Sequence, residues 1–347
     1  MAAIEKQSNG KTVLVSGAAG SIGSEIVRQA SAFKPKKLVL LDQAESPLYD
    51  LELEMKEKFS LDNIEAVLGD VRNADRIENL YRTYKPDIIY HAAAYKHVPS
   101  IENNPSEAIL VNIKGSQIMA DKAIEHGVSD FVFVSTDKAV NPSNVMGASK
   151  RLAEMYIQGL SRHHGKTKFI TTRFGNVLGS NGSVVLRFRK QIEQGGPVTV
   201  TDPEVSRYFM TIPEACQLVL EAGATGVSGE IYIFDMGKSM KIDDMAKKMI
   251  KLSKLELNKD IKLVYTGLRP GEKLKEELLT NQENTKPTHN SKIMIAKVRE
   301  YDWETIAENI DALVNMFPDQ NNEEIVKKMK EMVPEFKSSN SVYEALD

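Results

Sequence analysis

Short apolar runs alternate with segments of helical periodicity through the first half of the chain. The apolar runs are bounded by Gly, Asp or Pro, and they are KTVLVSG, KLVLLD, NIEAVLGD, DIIYHAA, DFVFVST and KFITTRFG. Such short, almost wholly apolar runs are typical of parallel strands that are buried on both faces. The clearest helical segment between them is SEAILVNIKGSQIMADKAIEHG, which ends at Gly127. The pattern predicts βαβ units and an α/β fold with a doubly wound parallel sheet.

The pattern becomes less regular after Asn176, where Gly and Pro are more frequent. GEIYIFDMG is predicted to be one more core strand, and NQENTKPTHNSK a polar loop. Helical periodicity returns in KIDDMAKKMIKLSKL, DWETIAENIDALVNMF and NEEIVKKMKEMV. We therefore expect a first domain over 11–176 with a returning strand near 230–236, a smaller and mainly helical lobe from 177–229 and 237–335, and tails at 1–10 and 336–347.

Composition narrows the class of protein. Hydrophobic residues are 41% and charged residues 27% of the 347 residues, which is ordinary for a soluble globular chain. A formal charge of −3 argues against a nucleic-acid partner. The single Cys216 excludes an internal disulfide framework and a cysteine metal site, and no metal is expected. No run approaches the roughly 18 apolar residues of a membrane span, so we expect a cytoplasmic protein.

The segment GAAGSIG places three glycines directly after the first strand, where a helix begins. Glycines permit a tight turn and a close approach of the main chain to a pyrophosphate, and the helix terminus supplies N–H groups. Asp42 ends the second strand, where a carboxylate binds both ribose hydroxyls and repels a 2′-phosphate. The sequence predicts a Rossmann-type domain that binds NAD rather than NADP through Gly17, Gly20, Ser21, Ile22, Gly23 and Asp42.

Two further strand ends belong to the same predicted site. GDVR follows the third strand, where a carboxylate could reach the adenine amino group, and HAAAYKHVP ends the fourth strand with small residues that let a dinucleotide lie against the main chain. We expect His91 to be structural rather than catalytic, and Lys96 either to line the pocket or to be solvated. The additional expected cofactor contacts are Asp70, Val71, Ala92, Ala93 and Ala94.

Six segments together resemble the bacterial UDP-N-acetylglucosamine 4,6-dehydratases, a branch of the extended short-chain dehydrogenase/reductases. They are GAAGSIGSEIVRQ, HAAAYKHVP, STDKAVNPSNVMGASKR, RFGNVLGSNGSV, TVTDPEVSRYFMTIPEA and LRPGEKLKEELL, and the similarity spans Lys11 to Leu279. Many members carry an amino-terminal membrane region before this domain. We see none here, so membrane attachment is not carried over, and a place at the cytoplasmic membrane face would apply only to an excised domain.

The resemblance implies an internal redox reaction. Hydride passes from sugar C4 to a tightly bound NAD, the C5 proton and the C6 hydroxyl are lost as water, and the hydride returns to C6. The expected substrate is UDP-N-acetylglucosamine, and the product is a UDP-4-keto-6-deoxy-N-acetylhexosamine for surface polysaccharide or glycan synthesis.

VSTDKAVNPSNVMGASK carries the implied active-site residues. By resemblance Ser135 bonds the C4 oxygen, and Lys150 contacts the nicotinamide ribose. Met146 stands where most of the superfamily has tyrosine, although one branch of these dehydratases also has methionine. A methionine has no dissociable proton and cannot be a general base, so Met146 is expected to fill space beside the cofactor.

The acid and base are expected at the two residues that follow Thr136. By resemblance Asp137 is the acid that protonates the departing C6 hydroxyl, and Lys138 is the base that removes the C5 proton. A base must be neutral, so we expect the pKa of Lys138 to be lowered. The C4 hydroxyl proton has three candidate acceptors: Thr136, Asp137 or a water relayed by Lys150.

The nucleotide end requires positive charge and main-chain donors. By resemblance two arginines and an asparagine hold the UDP diphosphate, a geometry that suits guanidinium groups. A glutamate is expected at the uridine ribose, and the main chain around Val200 at the uracil. The expected substrate contacts are Lys96, Asn176, Val198, Thr199, Arg207, Arg269 and Glu272.

Two other functions stay open. One is a UDP-sugar 4-epimerase or 4-ketoreductase, although both commonly rely on the tyrosine that Met146 replaces. The other is a non-catalytic protein that binds NAD and a UDP-sugar. The C5 stereochemistry of the product is open, with retention favoured, and so is the size of the expected homo-oligomer. SEAILVNIKGSQIMADKAI and GASKRLAEMYIQGLSR are the helices expected to pair two copies.

Overall fold

The computed structural model of the chain describes residues 1–277, 285–296 and 301–347, so the end of the LRPGEKLKEELL segment lies outside the described residues. The strands are β1 (Thr12–Ser16), β2 (Lys37–Asp42), β3 (Ile64–Leu68), β4 (Ile88–His91), β5 (Asp130–Val134), β6 (Lys168–Arg173), β7 (Asn176–Leu178), β8 (Val198–Val200), β9 (Ser206–Arg207), β10 (Phe209–Thr211), β11 (Ile231–Phe234), β12 (Met240–Lys241), β13 (Leu263–Tyr265), β14 (Thr285–Pro287) and β15 (Ile293–Ala296). The helices are α1 (Ala2–Ser8), α2 (Ser21–Ser31), α3 (Glu45–Phe59), α4 (Ala74–Tyr84), α5 (Val98–Glu102), α6 (Pro105–Ala108), α7 (Gly115–Glu125), α8 (Val145–His163), α9 (Val184–Glu193), α10 (Ile212–Thr225), α11 (Ile242–Leu252), α12 (Trp303–Asn315) and α13 (Asn322–Met332).

Nine of the described strands form one sheet in the order β14-β15-β11-β6-β5-β4-β1-β2-β3. The strands from β3 to β11 in that order pair in parallel, which confirms the predicted doubly wound sheet. β15 and β14 are added antiparallel at one edge. The prediction of a polar loop for NQENTKPTHNSK is wrong at Thr285–Pro287, because the neighbouring IMIA run of β15 draws this segment into an edge strand, where a proline is tolerated.

Apolar side chains cover both faces of this sheet. Alternate residues of β1 point to opposite sides, so Val13 and Val15 belong to one buried cluster and Leu14 to the other. α2, α3 and α10 complete the first cluster, whereas α4, α7, α8, α12 and α13 complete the second. Burial on both faces explains why the strands are apolar at nearly every position.

The segment from α6 to α7 is one continuous helical path, as predicted, but its middle is a π-helix over Ile109–Lys114. The buried Asn112 lies in this wide turn. Its Oδ1 accepts a hydrogen bond from the Tyr95 main-chain N–H at 2.8 Å, and its Nδ2 donates to the Ser149 hydroxyl at 2.9 Å. Asn112 therefore fixes the loop after β4 relative to α8, and π-turns of this kind occur often beside functional sites.

A smaller apolar cluster forms the core of the lobe. Residues from α9, β8, α11 and β13 supply it, whereas α10, α12 and α13 lie against the main sheet. We propose that the lobe comprises residues 177–211 and 237–277, a smaller range than the sequence suggested.

The helices that the sequence suggested for pairing two copies are largely covered by this chain's own later helices. α12 lies along α8, and the Trp303 ring is 5.1 Å from the Tyr156 ring. A Cβ built on Gly159 would be 2.7 Å from the Trp303 ring, so the glycine permits this close approach. A partner helix cannot occupy that face of α8 while α12 covers it.

Both segments expected to be tails contain ordered structure. Residues 2–8 form α1, whose Ile4 is buried and whose Gln7 amide donates to the Gly223 carbonyl at 3.0 Å. Near the other end, Tyr343 is buried, and its hydroxyl donates to the Glu102 carbonyl at 3.3 Å. No helix among the described residues has the length and apolar character needed to cross a bilayer.

Candidate active site

A cavity of about 630 Å³ opens where the parallel strands end at their carboxyl termini. Side chains and main chain from both the sheet and the lobe line it. This is the edge of an open α/β sheet where ligands bind, because the loops that leave the strands diverge there. Many of the site residues predicted from the sequence line this cavity. They are Gly17, Gly20, Ser21, Ile22, Gly23, Ala92, Ala94, Lys96, Ser135, Thr136, Lys138, Met146, Lys150, Asn176, Thr199, Arg207, Arg269 and Glu272.

The glycine turn requires glycine for steric reasons. Gly17 has φ +69°, and a Cβ there would lie 2.6 Å from the Ala93 nitrogen. A Cβ on Gly23 would lie 2.0 Å from the Gly17 carbonyl oxygen. α2 begins after Gly20 with no side-chain cap, so its first N–H groups are available to an anion. These residues fit the pyrophosphate of a dinucleotide.

Four predicted cofactor residues, Asp42, Asp70, Val71 and Ala93, do not line the cavity. The Asp42 carboxylate accepts from the Ala19 N–H at 2.9 Å, beside the glycine turn. Asp70 pairs with Arg72 at 2.6 Å; burial raises the pKa of Asp70, but the bonds from Arg72 outweigh it and leave that pKa lowered. Val71 packs against Gly115. Ala93 contributes its main chain, against which Gly17 is seated.

Lys150 lies on α8 one turn after Met146, and both line the cavity. The Lys150 Nζ is 4.0 Å from the centre of the Phe133 ring, and the residue is 4% exposed. Burial lowers the pKa of Lys150 to about 7, although the Glu154 carboxylate opposes this shift. Lys150 can therefore exchange a proton near neutral pH.

The contacts of His91 are consistent with the structural role expected for it. Its ring nitrogens contact the Ser16 hydroxyl at 2.6 Å and the Ser116 hydroxyl at 3.0 Å. Burial, together with the charge of Lys150, lowers the pKa of His91 to about 3, so the ring stays neutral. His91 does not line the cavity.

Asp137 does not line the cavity, but it contacts two residues that do. Its side chain is 1% exposed, and its Oδ1 accepts from the Thr136 hydroxyl at 2.9 Å and from Lys138 Nζ at 3.0 Å. The other oxygen, Oδ2, is buried without a hydrogen-bond partner among the described residues. A Cβ on Gly175 would be 2.8 Å from that oxygen, so the glycine leaves room for this carboxylate. Asp137 therefore orients Lys138.

Lys138 lines the cavity. Besides its bond to Asp137, its Nζ donates to the Asn176 side-chain oxygen at 3.1 Å. Burial lowers its pKa, but the carboxylates of Asp137 and Glu276 more than offset that effect, and the pKa is raised. The expectation of a lowered pKa is wrong, because the sequence did not reveal that two carboxylates flank this ammonium. Lys138 is a protonated group that can give a proton.

The lobe supplies arginine side chains to the cavity. Arg207 is buried and donates to the carbonyls of Ser206 and Lys273 at 2.8 Å, so much of its guanidinium is already bonded to protein. Arg269 is half-exposed and contacts Glu272 at 3.4 Å, which leaves it the freer of the two arginines.

Of two other residues predicted to contact the substrate, one lines the cavity and the other does not. Lys96 lines the cavity and donates to the Asn181 carbonyl at 2.9 Å. Val198 is buried in the core of the lobe and does not line the cavity.

The lining residues that sequence reasoning missed include three with basic or acidic side chains: Arg187, His97 and Glu276. Glu276 lies four residues after Glu272, in a segment that the resemblance had already singled out, so its position was available from the sequence. Arg187 carried no signal, because it lies on an ordinary amphipathic helix and bonds Thr199 at 3.1 Å.

The loop that carries Arg269 and Glu272 is fixed by distant parts of the chain. The Gly271 carbonyl accepts from the Ser143 hydroxyl at 3.0 Å, and the Gly271 N–H donates to the Ser339 carbonyl at 2.6 Å. Ser341 donates to Glu102 at 2.9 Å, and that same carboxylate accepts from the first N–H of α8 at 2.7 Å. Residues 339–341 therefore join this loop to the start of α8.

The parallel sheet, the glycine turn and the position of Lys150 are those of the extended short-chain dehydrogenase/reductase fold. Within it, the sequence model of the polysaccharide biosynthesis proteins matches residues 13–298, and the chain belongs to that family. The family comprises enzymes that act on nucleotide sugars, among them 4,6-dehydratases and epimerases.

Three relatives and one solved structure mark the range of similarity. The chain is 51% identical over 319 residues to the capsular polysaccharide biosynthesis protein CapD of Staphylococcus aureus, over 91% of this chain and 53% of CapD. It is 34% identical to a UDP-N-acetylglucosamine 4,6-dehydratase (inverting) of Campylobacter jejuni, over 80% and 79% of the two chains. It is also 34% identical to a UDP-glucose 4-epimerase of Rickettsia bellii, over 80% of each. The X-ray structure of Pen from Bacillus thuringiensis is 36% identical, with a TM-score of 0.76 over 83% and 90%. The chain spans about half the length of CapD.

Proposed function

We propose that this chain catalyses the NAD-dependent 4,6-dehydration of UDP-N-acetylglucosamine to a UDP-4-keto-6-deoxy-N-acetylhexosamine for surface polysaccharide or glycan synthesis. One observation carries the proposal. A protonated Lys138 and a titratable Lys150 line the same cavity as Arg269, so groups for proton transfer and a group for diphosphate binding converge there.

The cofactor half of the proposal rests on the glycine turn. The N–H groups at the start of α2 would hold the pyrophosphate of NAD, and the Asp42 carboxylate would hold the adenosine ribose. When bound, NAD supplies the redox chemistry by accepting a hydride from sugar C4 and returning it to C6. Lys150 would contact the nicotinamide ribose, and Met146 would fill the space beside it.

The chain's own residues would handle binding and protons. Arg269 and Arg187, which both line the cavity, would hold the diphosphate, and Glu272 would reach the uridine ribose. Ser135 would bond the C4 oxygen. Lys138, held by Asp137, would give its proton to the departing C6 hydroxyl. We favour retention at C5, on the resemblance to the larger branch of these dehydratases.

An epimerase is the second candidate, because an epimerase and a dehydratase are similar to this chain to the same degree. Met146 counts against it, since epimerases of this superfamily commonly depend on a tyrosine there. The retained cavity side chains count against a non-catalytic protein.

A single NMR time course tests the proposal. Purified protein with NAD is mixed with UDP-N-acetylglucosamine in heavy water, and the sugar signals are followed. A new C6 methyl group with deuterium at C5 is expected. A change of configuration at C4 with no methyl signal would establish an epimerase instead, and unchanged sugar would leave only binding.

A further inference from the structure

Glu276 is a buried carboxylate that borders the cavity opposite Lys138. Its side chain is 4% exposed, and its Oε1 lies 3.9 Å from Lys138 Nζ and 3.9 Å from Arg207 Nε. Both distances exceed hydrogen-bond length. Within the part of the chain that the structure describes, this carboxylate has charged neighbours but no hydrogen-bond donor of its own.

The other carboxylates near Lys138 are already engaged. Asp137 lies behind the wall and holds the Lys138 ammonium. Glu272 accepts from the Thr201 hydroxyl at 3.0 Å through one oxygen and from the Arg269 N–H at 3.1 Å through the other. Glu276 is therefore the one carboxylate on the described wall whose oxygens remain free to accept a proton from a ligand.

We propose that Glu276 is the base that removes the sugar C5 proton and that Lys138 is the acid that protonates the departing C6 hydroxyl. This assignment rests on the proposed 4,6-dehydration at the same site. The two side chains are close enough to act on adjacent carbons of one sugar.

The charged neighbours of the two groups suit these roles. Glu276 lies 3.9 Å from each of two cations, Lys138 and Arg207. Asp137 and Glu276 raise the pKa of Lys138, which therefore holds the proton that an acid requires. The reverse assignment would need a neutral lysine between two carboxylates.

The proposed elimination of water is balanced in protons and electrons. The C5–H bond breaks and its proton goes to the Glu276 carboxylate, while the electron pair forms the C5–C6 double bond. The C6–O bond breaks as Lys138 gives its proton to that oxygen, and water leaves. Glu276 exchanges that proton with solvent and then gives a proton to C5 when C6 is reduced. The proton released when the C4 hydroxyl is oxidised restores Lys138, so one water is lost overall.

Two variants separate the roles of acid and base. We expect Glu276→Gln to bind UDP within threefold of the unchanged protein and to accumulate reduced nicotinamide when UDP-N-acetylglucosamine is added. Methyl formation should fall by about 10²- to 10⁴-fold, the usual contribution of a general base, and no deuterium should enter C5 in heavy water. Lys138→Met should also lose methyl formation, yet the recovered sugar should carry deuterium at C5.

The matched control is Glu277→Gln, which removes the adjacent, half-exposed carboxylate that bonds Asn141. Its methyl formation should stay within twofold. Deuterium at C5 with Glu276→Gln, or its absence with Lys138→Met, overturns the assignment. UDP binding weakened more than tenfold at unchanged turnover also overturns it, because Glu276 would then serve only to hold Arg207.

The unchanged protein in the same assay separates the two proposals. If it forms no methyl group, the proposed dehydration itself fails, whereas a methyl signal that survives Glu276→Gln contradicts only the role of Glu276. Should Glu276→Gln not fold, Glu276→Asp withdraws the carboxylate from the sugar by one carbon. It should lower methyl formation at least tenfold at unchanged UDP affinity, and unchanged methyl formation would contradict the assignment.

Discussion

The cofactor side and the nucleotide-sugar side of the cavity are built by different means. The cofactor side consists of main chain at strand ends, where Gly17 and Ala93 meet without intervening side chains. The opposite side consists of charged side chains held by contacts between residues far apart in sequence, such as Arg207 with Lys273. The cofactor side depends on glycines that have no Cβ, whereas the opposite side depends on paired charges. Substitutions on the two sides should therefore impair different functions.

The largest expected effect concerns charge. Asp137→Asn keeps the shape of the side chain but removes the anion that orients Lys138, so methyl formation should fall at least about 100-fold, within the range of a lost acid or base. NAD binding, measured by calorimetry, should be unchanged. Asp62→Asn, at an exposed position, is the control. A loss of NAD binding with Asp137→Asn would mean that the two sides are not independent.

The second prediction concerns the main chain on the cofactor side of the cavity. Gly17→Ala places a Cβ 2.6 Å from the Ala93 nitrogen at a positive φ, a backbone strain that alone costs about 1–3 kcal/mol. The turn can relieve the clash only by moving away from the loop after β4. NAD affinity should fall by about 10- to 100-fold while UDP affinity is retained. Gly165→Ala, where a Cβ meets nothing within 4 Å, should leave both affinities unchanged.

Lys150 and Lys138 offer a contrast in pH dependence. The pKa of Lys150 is about 7 in the folded chain and near 10.5 when unfolded, so the unfolded state binds more protons between these values. Stability should therefore rise with pH through this window. Between pH 7 and pH 9 the free energy of unfolding should increase by about 2 kcal/mol more for the unchanged protein than for Lys150→Met in urea titrations. An equal increase in both would contradict a buried, unpaired Lys150.

The smallest effect should come from residues 339–341. Ser341→Ala removes the hydroxyl that donates to Glu102, so the loop of Arg269 and Glu272 loses one tie to α8. One such bond contributes about 0.5–1.5 kcal/mol. KM for the UDP-sugar should rise a few-fold at unchanged kcat and NAD affinity. Ser338→Ala, which breaks a contact with Lys330 instead, is the matched control.

The same contrast explains what the sequence could predict. The parallel sheet and the glycine turn follow from local patterns, because apolar runs indicate buried strands and glycines indicate a tight turn. The positions of Lys150 and Met146 beside the cofactor were inferred from the resemblance. The raised pKa of Lys138 could not be foreseen, since Glu276 is 138 residues away and only the fold brings it near. The edge strand β14 was missed for a similar reason, because its polar sequence pairs only when β15 is already in place.

The tie made by residues 339–341 also bears on how the protein is made. A ribosome releases the segments that form the cofactor turn and β1 to β6 early, and a growing chain folds from its first segments. The loop of Arg269 emerges later, yet its main-chain partner Ser339 follows another 70 residues behind. During synthesis the chain should therefore pass through a state in which the glycine turn has formed but the loop of Arg269 is not yet tied to α8, and that tie is completed only once residues 339–341 have emerged.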